Sequence, residues 1–216
     1  MNVSHKSDAL IASLADDLTP VRTLATSTGV SIALGATVVA AVATTALLGV
    51  RGDLLLGDPH PMFFLRGGML LMLGIATAIA AVRMNRPSVG TINHGWVWAM
   101  AAALLFPLAA GISAITHGGM PMEMIVPRYG VECLGYSTLL GLGIGSALTL
   151  WLRRGAPTSP ERAGLLIGIA AGSLGAFAFS LYCPFNSIYY VGLWYTLAVV
   201  ISAGVGRFVV PHLIRW

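Results

Sequence analysis

The chain has 216 residues, 56% of them hydrophobic and only 9% charged, with a formal net charge of +4. A soluble domain usually carries about 25% charged residues, so this composition excludes an ordinary water-soluble fold and points to lipid. The positive balance does not describe a nucleic-acid surface either, because no soluble domain is large enough to gather Lys and Arg on one face.

The first 27 residues contain Lys6, Asp8, Asp16, Asp17 and Arg22 and lack the apolar core and small-residue cleavage site of a signal peptide, so a retained amino terminus is expected. Within them, SDALIASLADDLTP (Ser7 to Pro20) has helical periodicity. Leu10, Ile11, Leu14 and Leu18 fall within an arc of about 100°, Asp16 lies opposite, Ser7 or Asp8 can cap the start, and Pro20 ends the segment. A helix this short is marginal alone in water. Its apolar stripe therefore needs a surface, and the choices are the membrane, the rest of the bundle or a partner protein. Interfacial helices usually carry Lys or Arg on the polar face; the three aspartates here favour a partner protein.

Apolar blocks of about 20 residues follow, the length that crosses about 30 Å of hydrocarbon. They run Thr28 to Val50, Met62 to Val82, Gly95 to Ile115, Cys133 to Leu152, Ala163 to Cys183 and Ile188 to Gly206, which predicts six spans. Only the second holds a charge, Arg66, near its start, where a long side chain is expected to reach the interface. With the amino terminus inside, the inner face receives Lys6, Arg22, Arg83, Arg86, Arg153, Arg154, Arg162, Arg207 and Arg215, and the outer face Arg51, Arg66 and Arg128. The positive-inside rule thus puts both termini in the cytoplasm. The fold class expected is an all-α, polytopic six-helix transmembrane bundle, residues 28–216, preceded by a short amphipathic cytoplasmic helix in residues 1–27.

None of the connections is long enough to fold separately. Small residues spaced by four inside the spans, Gly141 with Gly145 and Gly164 with Gly168 and Gly172, read as close helix packing. In the second outer connection, His117, Met120, Met122 and Met124 carry donors that suit copper, or form an apolar surface lying on the bundle; Glu132 is a further possible ligand. Cys133 opens the fourth span and Cys183 closes the fifth, which places both at the outer edge. They could pair in an oxidising compartment, could remain small apolar residues, or could present a reactive thiol where Pro184 stops the helix.

The spans hold no paired His and carboxylate, nucleophile motif or phosphate-binding loop, so no enzyme and no cofactor are expected. Transport usually calls for buried ionisable residues or paired broken helices. A small metal-ion transporter or channel and a membrane redox protein remain as competing readings.

The chain resembles the NrsF type of bacterial inner-membrane anti-sigma factors over essentially its whole length. The resemblance rests on LIASLADDLTPVR (Leu10 to Arg22), on one cysteine in each of spans four and five, and on CPFNSIYYVGLWYTLAVV (Cys183 to Val200) followed by Arg215 and Trp216. It implies that the amino-terminal segment, through Leu10, Ile11, Leu14, Leu18, Pro20, Val21 and Arg22, holds an extracytoplasmic-function sigma factor at the membrane, with no direct contact to nucleic acid. It also implies that Cys133 and Cys183 sense oxidants or thiophilic heavy metals. Where family members often carry a more basic stretch after the Pro-Val-Arg, this chain has Thr23, Leu24, Ala25 and Thr26. A homodimer is compatible with the sequence and not demanded by it.

Overall fold

The protein is described here by a computed structural model covering residues 3–16, 24–84, 95–116, 119, 127–155, 157 and 159–214. The elements are α1 (Val3–Asp16), α2 (Thr26–Leu47), the one-turn α3 (Gly52–Leu55), α4 (Pro61–Arg83), α5 (Gly95–Ala103), α6 (Leu105–Thr116), α7 (Pro127–Leu152), α8 (Pro160–Ser180) and α9 (Ile188–Ile214). All are helical. Among the described residues five helices, α2, α4, α7, α8 and α9, are long and apolar enough to cross a bilayer. The chain is a membrane protein.

The third expected span is divided. Helix α5 stops at Ala103 and α6 begins at Leu105. Proline 107 supplies the reason: it has no N–H to give to the Ala103 carbonyl, and its ring collides with that carbonyl in a continuous helix. Backbone bonds resume one residue later, where the Leu108 amide donates to Leu104 at 3.0 Å.

Helix α8 is the axis of the bundle. From Ala163 to Ser180 every residue except Leu165 and Phe177 is buried, and α2, α4, α7 and α9 pack around it. It starts favourably, with Pro160 at its first position and Glu161 in its first turn. The glycine spacing works as expected, because it lets backbones touch. A Cβ on Gly164 or Gly168 would run into the carbonyl oxygens of Gly206 and Ser202 on α9, and one on Gly172 would sit 2.8 Å from the Val199 Cα. On the other side a Cβ on Gly141 of α7 would lie 2.8 Å from the Ala171 carbonyl.

Helix α2 uses the same logic with a different alphabet. Its buried face is Gly29, Ala33, Thr37, Ala40 and Thr44, while Val38, Val39 and Val42 point outward. The two threonine hydroxyls donate back to Ala33 and Ala40 at 2.7 and 2.8 Å, so neither hydroxyl is left bare in the apolar interior.

Helix α1 begins at Val3, so Ser7 and Asp8 lie inside it and do not cap it. Cys133 likewise lies inside α7, which starts six residues earlier at Pro127, and Cys183 lies beyond the end of α8.

Candidate functional site

Both cysteines lie in one buried cluster with Leu70 of α4, Ala176 and Phe179 of α8, and Tyr190, Val191 and Tyr195 of α9. Cys133 is 0% and Cys183 2% exposed, and neither is in a disulfide. The two side chains are close enough to interact within this cluster, and the Cys133 Sγ faces the Ser137 hydroxyl at 4.0 Å. The fold therefore brings together two residues fifty positions apart in sequence. Helix ends explain the placement: α8 closes with the Cys183 amide donating to Phe179 at 3.2 Å, and Pro184 cannot continue the helix.

Ending a helix inside a membrane protein leaves carbonyls without donors. Two arginines supply them. Arg66 donates from Nη1 to the Phe185 carbonyl at 2.5 Å and from Nη2 to the carbonyls of Ser180 and Cys183 at 3.3 and 3.4 Å. Arg51 donates from Nη1 to the Cys183 carbonyl at 2.8 Å and to the Asn186 side chain at 3.2 Å, and its own amide donates to Leu181 at 3.2 Å. Its remaining fork, Nε and Nη2, grips the Asp53 carboxylate at 2.8 and 2.6 Å. That grip holds the Asp53 carboxyl down at about 2.

The position of Arg66 corrects the sequence expectation. Its side chain turns into the protein and is fully buried, 0% exposed, with its guanidinium 5.2 Å from the Tyr195 ring centroid. Arg51, expected in an outer connection, is also buried, with its guanidinium over Phe63. Carbonyls, aromatic faces and one carboxylate take the place of water for these cations.

Helix α9 carries a π-helical stretch at Val191–Tyr195. Its i→i+5 hydrogen bonds widen the turn relative to an α-helix, and Tyr190, just before it, and Tyr195, at its end, both reach the cysteine cluster. The Tyr190 hydroxyl donates to the Tyr129 carbonyl at 3.0 Å, and a Cβ on Gly130 would overlap the Trp194 indole. The π stretch thus fastens the first turns of α7, which carry Cys133. Among the described residues no group of three or more His, Cys, Asp or Glu could hold a metal ion.

The other site foreseen from the sequence is separate. Leu10, Ile11 and Leu14 of α1 are exposed at 60, 63 and 62%, an unusual state for three large apolar residues on one stripe. Leu18, Pro20, Val21 and Arg22 lie outside the described residues, as do His117, Met120, Met122 and Met124. Glu132 is exposed beside the buried Cys133. Sequence reasoning did not pick out Arg51, Tyr190 and Tyr195, and took Arg66 for an interfacial residue; the available signal was an arginine inside an apolar span, which marks a functional position more often than a structural one.

The family profile of NrsF, the negative regulator of sigma F, matches residues 14–216. The probable anti-sigma-F factor NrsF of Azospira oryzae is 32% identical over 177 residues, 79% of this chain and 80% of its own length. The anti-sigma-F factor NrsF of Caulobacter vibrioides is 30% identical over 168 residues, 76% of each chain. No solved structure matches. The chain belongs to the NrsF family of negative regulators of a sigma factor, a regulatory and not a catalytic family.

Proposed function

We propose that this member of the family is a six-span anti-sigma factor of the bacterial inner membrane with both termini in the cytoplasm. It captures an extracytoplasmic-function sigma factor on residues 1–27 and releases it when Cys133 and Cys183, in the 28–216 sensor domain, meet an oxidant or a thiophilic heavy metal. The observation that carries the capture is the exposed Leu10, Ile11 and Leu14 stripe of α1. Its aspartates discourage lipid, and burial on a partner recovers about 25 cal/mol for each Å² of apolar surface removed from water. Leu18, Pro20, Val21 and Arg22 continue the docking segment. In this reading α5 and α6 together make the sixth crossing, and the excess of Lys and Arg at the opposite end from the cysteines sets the orientation.

Sensing is the chemistry of two adjacent thiols. With hydrogen peroxide, one thiol attacks the O–O bond to give a sulfenic acid and water; the second displaces a further water and closes the disulfide. With a soft divalent ion, both sulfurs give up their protons and bind the metal together. Either event ties α7 to the connection after α8. The test is capture of the sigma factor from native membranes by the full chain and by Leu14→Asp, before and after peroxide or cadmium. Capture unaffected by Leu14→Asp excludes the stripe, and release unaffected by Cys133→Ser and Cys183→Ser excludes the cysteines.

A further inference from the structure

In the chain the docking segment precedes α2, and Cys183 is bonded to Arg51 just past that helix's other end; α2 has 22 residues and is therefore about 33 Å long at 1.5 Å per residue. Something must carry a change at the thiols along that distance. From the hydrogen bonds around Cys183 we infer that Arg51 is the coupling residue: it ties the Cys183 carbonyl to the carboxyl end of α2, and so converts the state of the thiol pair into a position of the helix that leads back to the docking segment. This rests on the sensing role proposed above.

Three features single out Arg51. It lies four residues beyond the end of α2 at Leu47, so a displacement of its backbone acts on that helix directly. It is bonded three times to the connection that bears Cys183, by its amide to Leu181 and by Nη1 to Cys183 itself and to the Asn186 side chain. And its other nitrogens are fixed by the bidentate Asp53 grip, which leaves the side chain no slack. Helix α2 is also suited to move. Its buried face is small residues throughout, so a shift along its axis meets shallow ridges instead of interlocked large side chains.

Arg66 plays a different part. It bonds the same carbonyl, but it is anchored in α4 near that helix's start and also holds Ser180 and Phe185, so it keeps the connection in place without leading toward the docking segment. Closing a disulfide pulls Cys183 toward Cys133. The Cys183 carbonyl then leaves Arg51 or draws it along, and in both cases the end of α2 changes its support.

The experiment reads two quantities on the full chain in native membranes exposed to hydrogen peroxide. One is disulfide formation, scored by the mass added by a maleimide reagent to thiols that remain. The other is the sigma factor retained. In the wild type both change together. Arg51→Ala is expected to form the disulfide as the wild type does while retaining at least about tenfold more sigma factor after oxidation, since losing one charge-assisted contact is worth roughly such a factor, and Arg51→Lys is expected to recover part of the release. A purely structural role would not separate the two readouts. Should Arg51→Ala not accumulate, Asp53→Asn, which loosens the grip and leaves the arginine, gives the same separation in weaker form. Release from Arg51→Ala at the wild-type level overturns the coupling role. A wild type that forms the disulfide and keeps its sigma factor overturns the sensing role itself.

Discussion

Arg66 donates to the Phe185 carbonyl at 2.5 Å from a position with no solvent exposure. A charge so placed is stable only because the chain aims carbonyls and the Tyr195 ring at it. Replacing it with leucine keeps most of the volume and leaves the Phe185 and Ser180 carbonyls without a side-chain donor, while the Cys183 carbonyl keeps Arg51. At about 1–3 kcal/mol for each unsatisfied group, Arg66→Leu is expected to lose at least about 2 kcal/mol, read as a large fall in melting temperature in detergent. Arg66→Lys, a point donor in place of a fork, should fall between the two.

The contact between α8 and α9 yields a second expectation. Gly168→Ala forces a methyl group into the Ser202 carbonyl, and overpacking of this kind costs about 1–3 kcal/mol or more. Gly143, where a Cβ meets nothing within 4 Å, is the control. Gly143→Ala should be neutral or stabilise by up to about 1 kcal/mol through helix propensity. Melting of both variants beside the wild type checks the pair.

Acid should weaken the cysteine end of the bundle. Asp53 has its carboxyl lowered from 3.8 to about 2 by Arg51. A depressed carboxylate contributes stability that is complete above its unfolded value and is lost as pH falls through the folded one. The stability difference between the wild type and Asp53→Asn should therefore be constant at pH 5 and above and shrink between pH 3.8 and about 2. A difference unchanged at pH 2 would mean that the carboxylate does not stabilise the fold.

Much of this architecture was legible in the sequence. The apolar blocks marked the five long helices, and the four-residue glycine spacing marked where backbones touch, because both are local patterns with one physical cause. Cys133 and Cys183 were placed at one end by counting spans. The break at Leu104 was also written in the chain, as Pro107, but its effect depends on a single missing hydrogen bond inside an otherwise continuous apolar run. The arginines were misread for a deeper reason. Arg51 and Arg66 are defined by carbonyls more than a hundred residues away, and a carbonyl is present at every residue, so nothing in the pattern reveals which ones are free. The π stretch at Val191–Tyr195 is equally silent, since nothing in the run VGLWY distinguishes it from the helix around it.

The stripe on α1 should be separable from the fold. Leu10, Ile11 and Leu14 are exposed, so Leu14→Asp is expected to change the melting temperature of the purified protein by little, within about 0.5 kcal/mol, while capture of the sigma factor drops at least about tenfold, as removal of a central apolar anchor does at an interface. Melting and pull-down on the same preparation check both halves.

The account turns on the cysteine pair governing what the amino-terminal segment holds. The most direct measurement is the amount of sigma factor retained by the full chain in native membranes, with and without peroxide or cadmium, for the wild type and for the Cys133→Ser, Cys183→Ser double variant. The account predicts loss of the sigma factor from the wild type on treatment and full retention by the double variant. Equal loss from both would contradict it.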